Sequence, residues 1–296
     1  MYLVDIDDQH RESESIRHLL ANPIHTEYLL GPMGVGSLSW MIAEVNNIHL
    51  VPSINGEIDI LAGPLEFLEP AEFQRLLTRH QQERPDWNPS LLEYLAAKEL
   101  AEGGGIAWPP TPAYVIGFEV KCAYFSEGLH ASKNSNRQVH KIRTQVNRLA
   151  TMGLDRIALL DVIANTPATG EHSNAWFEAA GRAQDSLKEM QSIIEARLPE
   201  DTAAAQFVWS AGSVAGGDES RRGAGVPQMV RPGIANPGLL GHNAEVVSNR
   251  QILLEGVRRV FGQLPRPTFF PAMFVGCRAC SEIRPFGSSC KCAAAA

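Results

Sequence analysis

No run in this chain is long and apolar enough to cross a bilayer as a helix, which excludes a helical membrane protein. The first ten residues carry Asp5, Asp7 and Asp8 where a secretory leader needs positive charge and then an apolar stretch, so a cytoplasmic protein is expected. Basic residues are not in excess either. With 26 Lys and Arg against 33 Asp and Glu, the net charge of −7 leaves no global field to attract nucleic acid, and any such binding must come from local basic patches. The glycines of Gly31-Pro32-Met33-Gly34-Val35-Gly36 are not followed by Gly-Lys-Ser/Thr, so they make turns and not a phosphate loop. Cysteine is scarce, with five in the chain and four of them between Cys277 and Cys292. In a reducing compartment that clustering argues for a metal rather than for disulfides. What remains is ordinary globular composition, 44% hydrophobic and 20% charged, with material for a sizeable core.

The most informative stretch is Tyr114–Tyr124. Tyr114, Ile116, Phe118, Val120, Cys122 and Tyr124 alternate with Val115, Gly117, Glu119, Lys121 and Ala123, the period of a half-buried strand. Its polar side carries Glu119 and Lys121 between the small residues Gly117 and Ala123, leaving room around a charged pair. Glu57–Leu61 repeats the construction, with Asp59 on its polar side, and adjacent strands would bring Asp59 to Glu119 and Lys121. Two carboxylates on neighbouring strands are hard oxygen ligands for Mg²⁺ or Mn²⁺, and a lysine beside them can orient or deprotonate a metal-bound water. A helix is expected near Ser135–Thr151, with Val139, Ile142, Val146 and Leu149 inward. Lys133, Arg137, Lys141 and Arg148 fall on its opposite side, where they could contact phosphate, and Gln145 lies at the border. Arg156–Ile163 is a near-continuous apolar run interrupted by Asp161, which suits a central strand and suggests an α/β sheet.

Asp59 followed by Glu119-Val120-Lys121 resembles the PD-(D/E)XK nuclease superfamily, with Ile58 standing where the literal motif has proline. The resemblance covers roughly residues 35–165. It implies a restriction-endonuclease-like mixed sheet flanked by helices, and Mg²⁺- or Mn²⁺-dependent hydrolysis of phosphodiesters, with DNA the favoured polymer and RNA left open. Asp59 and Glu119 would hold the metal, with the Val120 carbonyl as a further ligand, and Lys121 would activate water. A helical glutamate before the first strand and a glutamine after the tripeptide also belong to the pattern. Glu44, in a segment Ser39–Val45 that reads as a helix through Leu38, Met41, Ile42 and Val45, and Gln145 match them. Ile48–Val51 is then the first core strand, and Asn55-Gly56 the hairpin turn into Glu57–Leu61.

The chain divides into an N-terminal peripheral helix (1–30), a core (31–265) with a helical insertion (64–110), and a C-terminal cysteine knuckle (266–296). Helices are expected from Pro70 and over Pro89–Glu102 in the insertion, over Ser173–Leu198, and over Val246–Phe261. Further strands are expected at Gln206–Val214 and Thr268–Val275, and the glycine- and proline-rich 212–238 should be a long mobile loop bearing Arg221, Arg222 and Arg231. Trp87 and Trp108 should pack the insertion onto its host. Cys277-x-x-Cys280 and Cys290-x-Cys292 offer four thiolates on two tight turns, the ligand set of a closed structural Zn²⁺ site. The competing reading, from a different class, is a non-catalytic nucleic-acid-binding or assembly subunit that docks through this knuckle. Association with itself or with other subunits of a phage-defence, restriction or repair system stays open.

Overall fold

In the segment 39–45 the helical spacing of Leu38, Met41, Ile42 and Val45 competes with a second pattern, because Trp40 and Ala43 fill the gaps and leave a continuous apolar run. Such a run suits a strand covered on both faces. The strand wins. In a computed structural model, which describes residues 13, 16–17, 19–21, 23–36, 38–46, 49–125, 142–165, 199–210, 228–277, 279–290 and 292, Ser39–Asn46 is strand β1 and is buried from Ser39 to Val45. The expected helix bearing Glu44 is therefore a core strand. Residues 49–51, expected as the first strand, lie in the connection between β1 and the next strand and are not extended.

The remaining elements follow in chain order. Helix α1 (Pro23–Leu30) precedes β1 and runs into a 3-10 turn at Gly31–Met33; β2 (Glu57–Pro64), α2 (Pro70–Glu83), α3 (Pro89–Glu102) and β3 (Ile116–Phe125) come after it. Next are helix α4 at residues 142–151, β4 (Arg156–Asn165), β5 (Ala203–Ser210) and β6 (Gln228–Arg231). The chain continues with α5 (Pro237–Leu240), α6 (Ala244–Phe261), β7 (Ala272–Gly276) and β8 (Ile283–Pro285). The strand β5 starts earlier than expected, and β6 and the start of α5 occupy the end of the segment read as a loop. Residues 173–198, Arg221 and Arg222 lie outside the described residues. Among the described residues no helix is long and apolar enough to cross a membrane.

Among the described residues all eight strands join one mixed sheet in the order β6-β5-β4-β3-β2-β1-β7-β8. β3, β4 and β5 are mutually parallel, β2 is antiparallel to both β1 and β3, and β7 is parallel to β1. The cysteine segment is thus continuous with the sheet, since β7 is one of its interior strands. Trp40 on β1 faces Gly63 on β2, where any Cβ would come within 2.6 Å of the indole. That close approach requires glycine.

Each face of the sheet carries its own apolar layer. On one face Ile142, Val146 and Leu149 of α4 pack with Leu253, Val257 and Phe261 of α6, and with Phe73, Leu76, Ala97 and Leu100 of the insertion helices. Trp108 sits edge-on to Phe261 at 5.1 Å and donates its indole N–H to the Leu264 carbonyl, so the insertion packs onto its host as expected, whereas Trp87 is exposed. On the other face Ile16, Leu19 and Leu20, with Leu29 and Leu30 of α1, cover Met41, Ile60, Phe118 and Leu160. Burying each of these large side chains stabilises by roughly 1.5–3 kcal/mol.

Two polar anchors set the positions of α4 and α6. Asn236 is buried and donates from its amide to the carbonyls of Ala150 and Leu154 at 2.9 and 2.8 Å, while its side-chain oxygen accepts from Gly238 N–H. Asp155 accepts from Val115 N–H and from Arg250 of α6, both at 2.7 Å, which ties α6 to the starts of β3 and β4. Asn236→Ala leaves one buried and one partly buried carbonyl without their donor, so it should lower unfolding free energy by about 2–3 kcal/mol. Urea melts of the two proteins check this.

Candidate active site

β2 and β3 form a ladder only from Ile60↔Phe118 to Ala62↔Ile116. Beyond it the Asp59 carboxylate takes over a ladder hydrogen bond, accepting from Val120 N–H at 2.7 Å. A carboxylate in a backbone position separates the two strands locally and leaves Asp59 beside Glu119. Glu119 and Lys121 share the face of Gly117, whose missing Cβ leaves space filled by Leu154. All three charged residues are buried, so Glu119 and Lys121 are not a solvated surface pair.

The Lys121 ammonium donates to Glu119 Oε1 at 2.7 Å and to the Val120 carbonyl at 3.0 Å. It therefore rests on two of the atoms that sequence reasoning assigned as metal ligands. Burial pushes the Glu119 carboxyl up, and the like charge of Asp59 adds to it; Lys121 and Arg148 oppose them, and the result is a carboxyl raised from 4.5 to about 7. The second oxygen, Glu119 Oε2, is buried and has no hydrogen-bond partner among the described residues.

Helix α4 carries the next two residues. Gln145 Oε1 is likewise buried without a partner among the described residues. Arg148, one turn on, does not lie on the outer basic face expected for it. Its guanidinium turns inward, donates to the Glu57 carbonyl at 2.6 Å and stands 3.8 Å from Glu119 Oε2. Gly56 leaves the space, since a Cβ there would collide with the Arg148 guanidinium. The available signal was the three-residue spacing from Gln145, which puts both side chains on one helix face. Lys133, Arg137 and Lys141 lie outside the described residues.

Glu44 is the site residue that is placed elsewhere. It leaves the β1 ladder at φ 54°, between Ala43↔Ile60 and Val45↔Ile58, and its buried carboxylate stands 3.5 Å from Arg17. It lines a small cavity of about 120 Å³ with Asn46, Glu57, Cys277 and Ser281. Among the described residues the four cysteines are the one group of three or more His, Cys, Asp or Glu gathered closely enough to hold a metal, so Glu44 does not complete a carboxylate triad with Asp59 and Glu119.

Those cysteines are brought together by the β7–β8 hairpin. Cys277 N–H donates to Glu282 and Ser281 N–H to Cys277, closing a tight turn, and the four sulfurs lie within 4.8 Å of one another. Neighbouring sulfurs are separated by 2.9–3.6 Å, too far for disulfides, and all four are free thiols. The Cys280 backbone N–H and the Cys292 thiol hold Cys277 down to about 6, whereas hydrogen bonding to Cys290 and Cys277 pushes Cys292 up. One thiolate thus resists the next until a cation compensates them, and the cluster is positioned to hold a metal ion. The fifth cysteine, Cys122, has a side chain outside the described residues.

No family model matches this chain, and neither does any curated protein or solved structure.

Proposed function

We propose that the chain is a metal-dependent nuclease of the PD-(D/E)XK kind, hydrolysing phosphodiester bonds, with DNA the favoured substrate. The single observation that carries the reading is the meeting of Asp59, Glu119 and Lys121 in one buried cluster, where two adjacent strands part. A divalent cation fits the donor set: Asp59, Glu119 and the Val120 carbonyl are hard oxygen donors, Glu119 Oε2 lacks a hydrogen-bond partner among the described residues, and the carboxylates repel each other. When bound there, Mg²⁺ or Mn²⁺ supplies a water of lowered pKa and charge for the phosphate oxygens.

The rest is done by the chain itself. Lys121 holds Glu119 Oε1 in place and presents a buried positive charge to whatever negative charge develops beside it. Gln145 Oε1 is available to accept from the attacking water and so to fix its direction. For the cysteine cluster the ion that fits is Zn²⁺ in a structural role. Four sulfurs at about 2.3 Å from a tetrahedral ion stand about 3.8 Å apart, and a closed set of four leaves no open position for catalysis. The test is incubation with plasmid, single-stranded DNA and RNA, with Mg²⁺ or Mn²⁺ and then EDTA. Metal-dependent products are expected; binding without cleavage under every condition would favour the non-catalytic subunit instead.

Glu119 also makes stability pH-dependent. Its folded pKa of about 7 lies above the ordinary 4.5, so between these values the folded state keeps a proton that the unfolded state has lost. Ionising it costs folding free energy, and the metal-free protein should lose stability as pH rises through that window. A divalent cation replaces the proton and removes the penalty. Thermal melts across the window, with and without Mn²⁺, should therefore diverge as pH rises, and Glu119→Gln should flatten the difference.

A further inference from the structure

Arg148 is buried over most of its length, with 26% of its side chain exposed, and its guanidinium faces Glu119. Three observations single it out among the described residues. Its Nη2 stands 3.8 Å from the oxygen of Glu119 that has no hydrogen bond there, its Nε is buried without a partner there, and its one hydrogen bond there is to a backbone carbonyl, Glu57 O. Most buried guanidinium donors are satisfied within the protein or by water, and Arg148 is the one with such a nitrogen, among the described residues, whose guanidinium also stands beside Glu119. A guanidinium at 3.8 Å from a carboxylate, with a donor in reserve, has charge contact but no committed hydrogen bond.

Building on the nuclease reading, we propose that Arg148 is a removable counter-ion of the Asp59–Glu119 pair: it competes with the divalent metal for Glu119 and, when the metal is present, offers its guanidinium to a non-bridging oxygen of the substrate's phosphate. Physically the two roles follow from one charge. A cation within about 4–6 Å of a carboxylate weakens the hold of that carboxylate on any other cation, and the same planar fork matches a phosphate's geometry. Lys121 cannot take the second role, since its ammonium is already committed to Glu119 Oε1 and the Val120 carbonyl. Arg148 is thus a positioning residue for Glu119 and a contact for the phosphate.

The experiment pairs two readouts that a structural residue would not move in opposite directions. Mn²⁺ binding is titrated by electron paramagnetic resonance on zinc-loaded protein without nucleic acid, at a pH above 8 so that proton competition at Glu119 is removed, and Asp59→Asn identifies the site. Arg148→Met should bind Mn²⁺ at least ~10-fold more tightly, the lower end of a neighbouring charge's effect on a carboxylate, while cleaving at least ~10-fold more slowly. Arg148→Lys keeps the charge and loses the fork, so it should keep wild-type Mn²⁺ affinity and recover only part of the rate; Arg148→Gln, which loses the charge but keeps hydrogen-bond donors, carries the affinity test should the methionine variant fail to fold.

Mn²⁺ affinity unchanged in Arg148→Met overturns the counter-ion role whatever the cleavage rate. Tighter Mn²⁺ with wild-type cleavage overturns the phosphate contact. Wild-type protein that binds Mn²⁺ at Asp59 but cleaves nothing refutes the nuclease reading, while the counter-ion role is then decided by affinity alone; absence of Mn²⁺ binding refutes both.

Discussion

Lys121→Ala should fold, bind metal and bind nucleic acid, yet cleave at least ~100-fold more slowly than the wild type, the usual cost of removing a positioned electrostatic or acid–base group. The ammonium touches Glu119 Oε1 and the Val120 carbonyl, and under the proposed mechanism its loss falls on the transition state more than on ground-state affinity. Asp59→Ala and Glu119→Ala should instead abolish metal-dependent cleavage. Relief of repulsion between the two carboxylates would leave nucleic-acid binding intact or tighter. Removing Lys121 also leaves Glu119 buried without its main counter-ion, so its carboxyl should rise further and the residual activity should shift to higher pH. A folded Lys121→Ala protein that cuts at the wild-type rate would defeat the assignment.

The second large effect belongs to the cysteines. Protein purified without added zinc should contain one zinc per chain, and Cys290→Ser should lose it together with several kcal/mol of stability, because binding energy at a structural site is folding energy. Cys290 is the buried member of the four, and its sulfur stands 2.9 Å from that of Cys292 and 3.4 Å from that of Cys280. The loss should extend beyond the hairpin, since β7 is hydrogen-bonded to β1 as well as to β8. Metal analysis with thiol titration reads the first part, and denaturant melts of wild type and variant read the second. Metal content near zero with four freely titrating thiols would remove the zinc assignment.

How much of this was legible in the chain depends on whether the signal was local. Alternation across residues 116–121 located β3 and placed Glu119 and Lys121 on one side, and the same pattern in β2 located Asp59. The helices of the insertion and α6 were marked by prolines, caps and apolar spacing. The Asp59 hydrogen bond to Val120 could not be read, because it replaces a ladder bond that pattern reasoning assumes is present. Glu44 was misplaced because a short apolar run fits both a helix and a buried strand, and only its partners, β2 on one side and β7 on the other, decide between them. Arg148 was assigned to the outer face from its position off the apolar stripe, but a long side chain reaches around a helix when its neighbour is glycine. The pairing of β7 with β1 carried no local mark at all.

That pairing has a consequence for biosynthesis. Trp40 meets Ala272, 232 positions later (272 minus 40), so β1 keeps one row of backbone donors and acceptors open for most of the time the nascent chain is emerging from the ribosome. Such an open border recruits any extended segment that reaches it, including the same stretch of a neighbouring nascent chain. The protein should therefore depend on chaperones, or on slow translation at low temperature, until its last strands are released, and fusions that delay release of the C-terminus should worsen its yield.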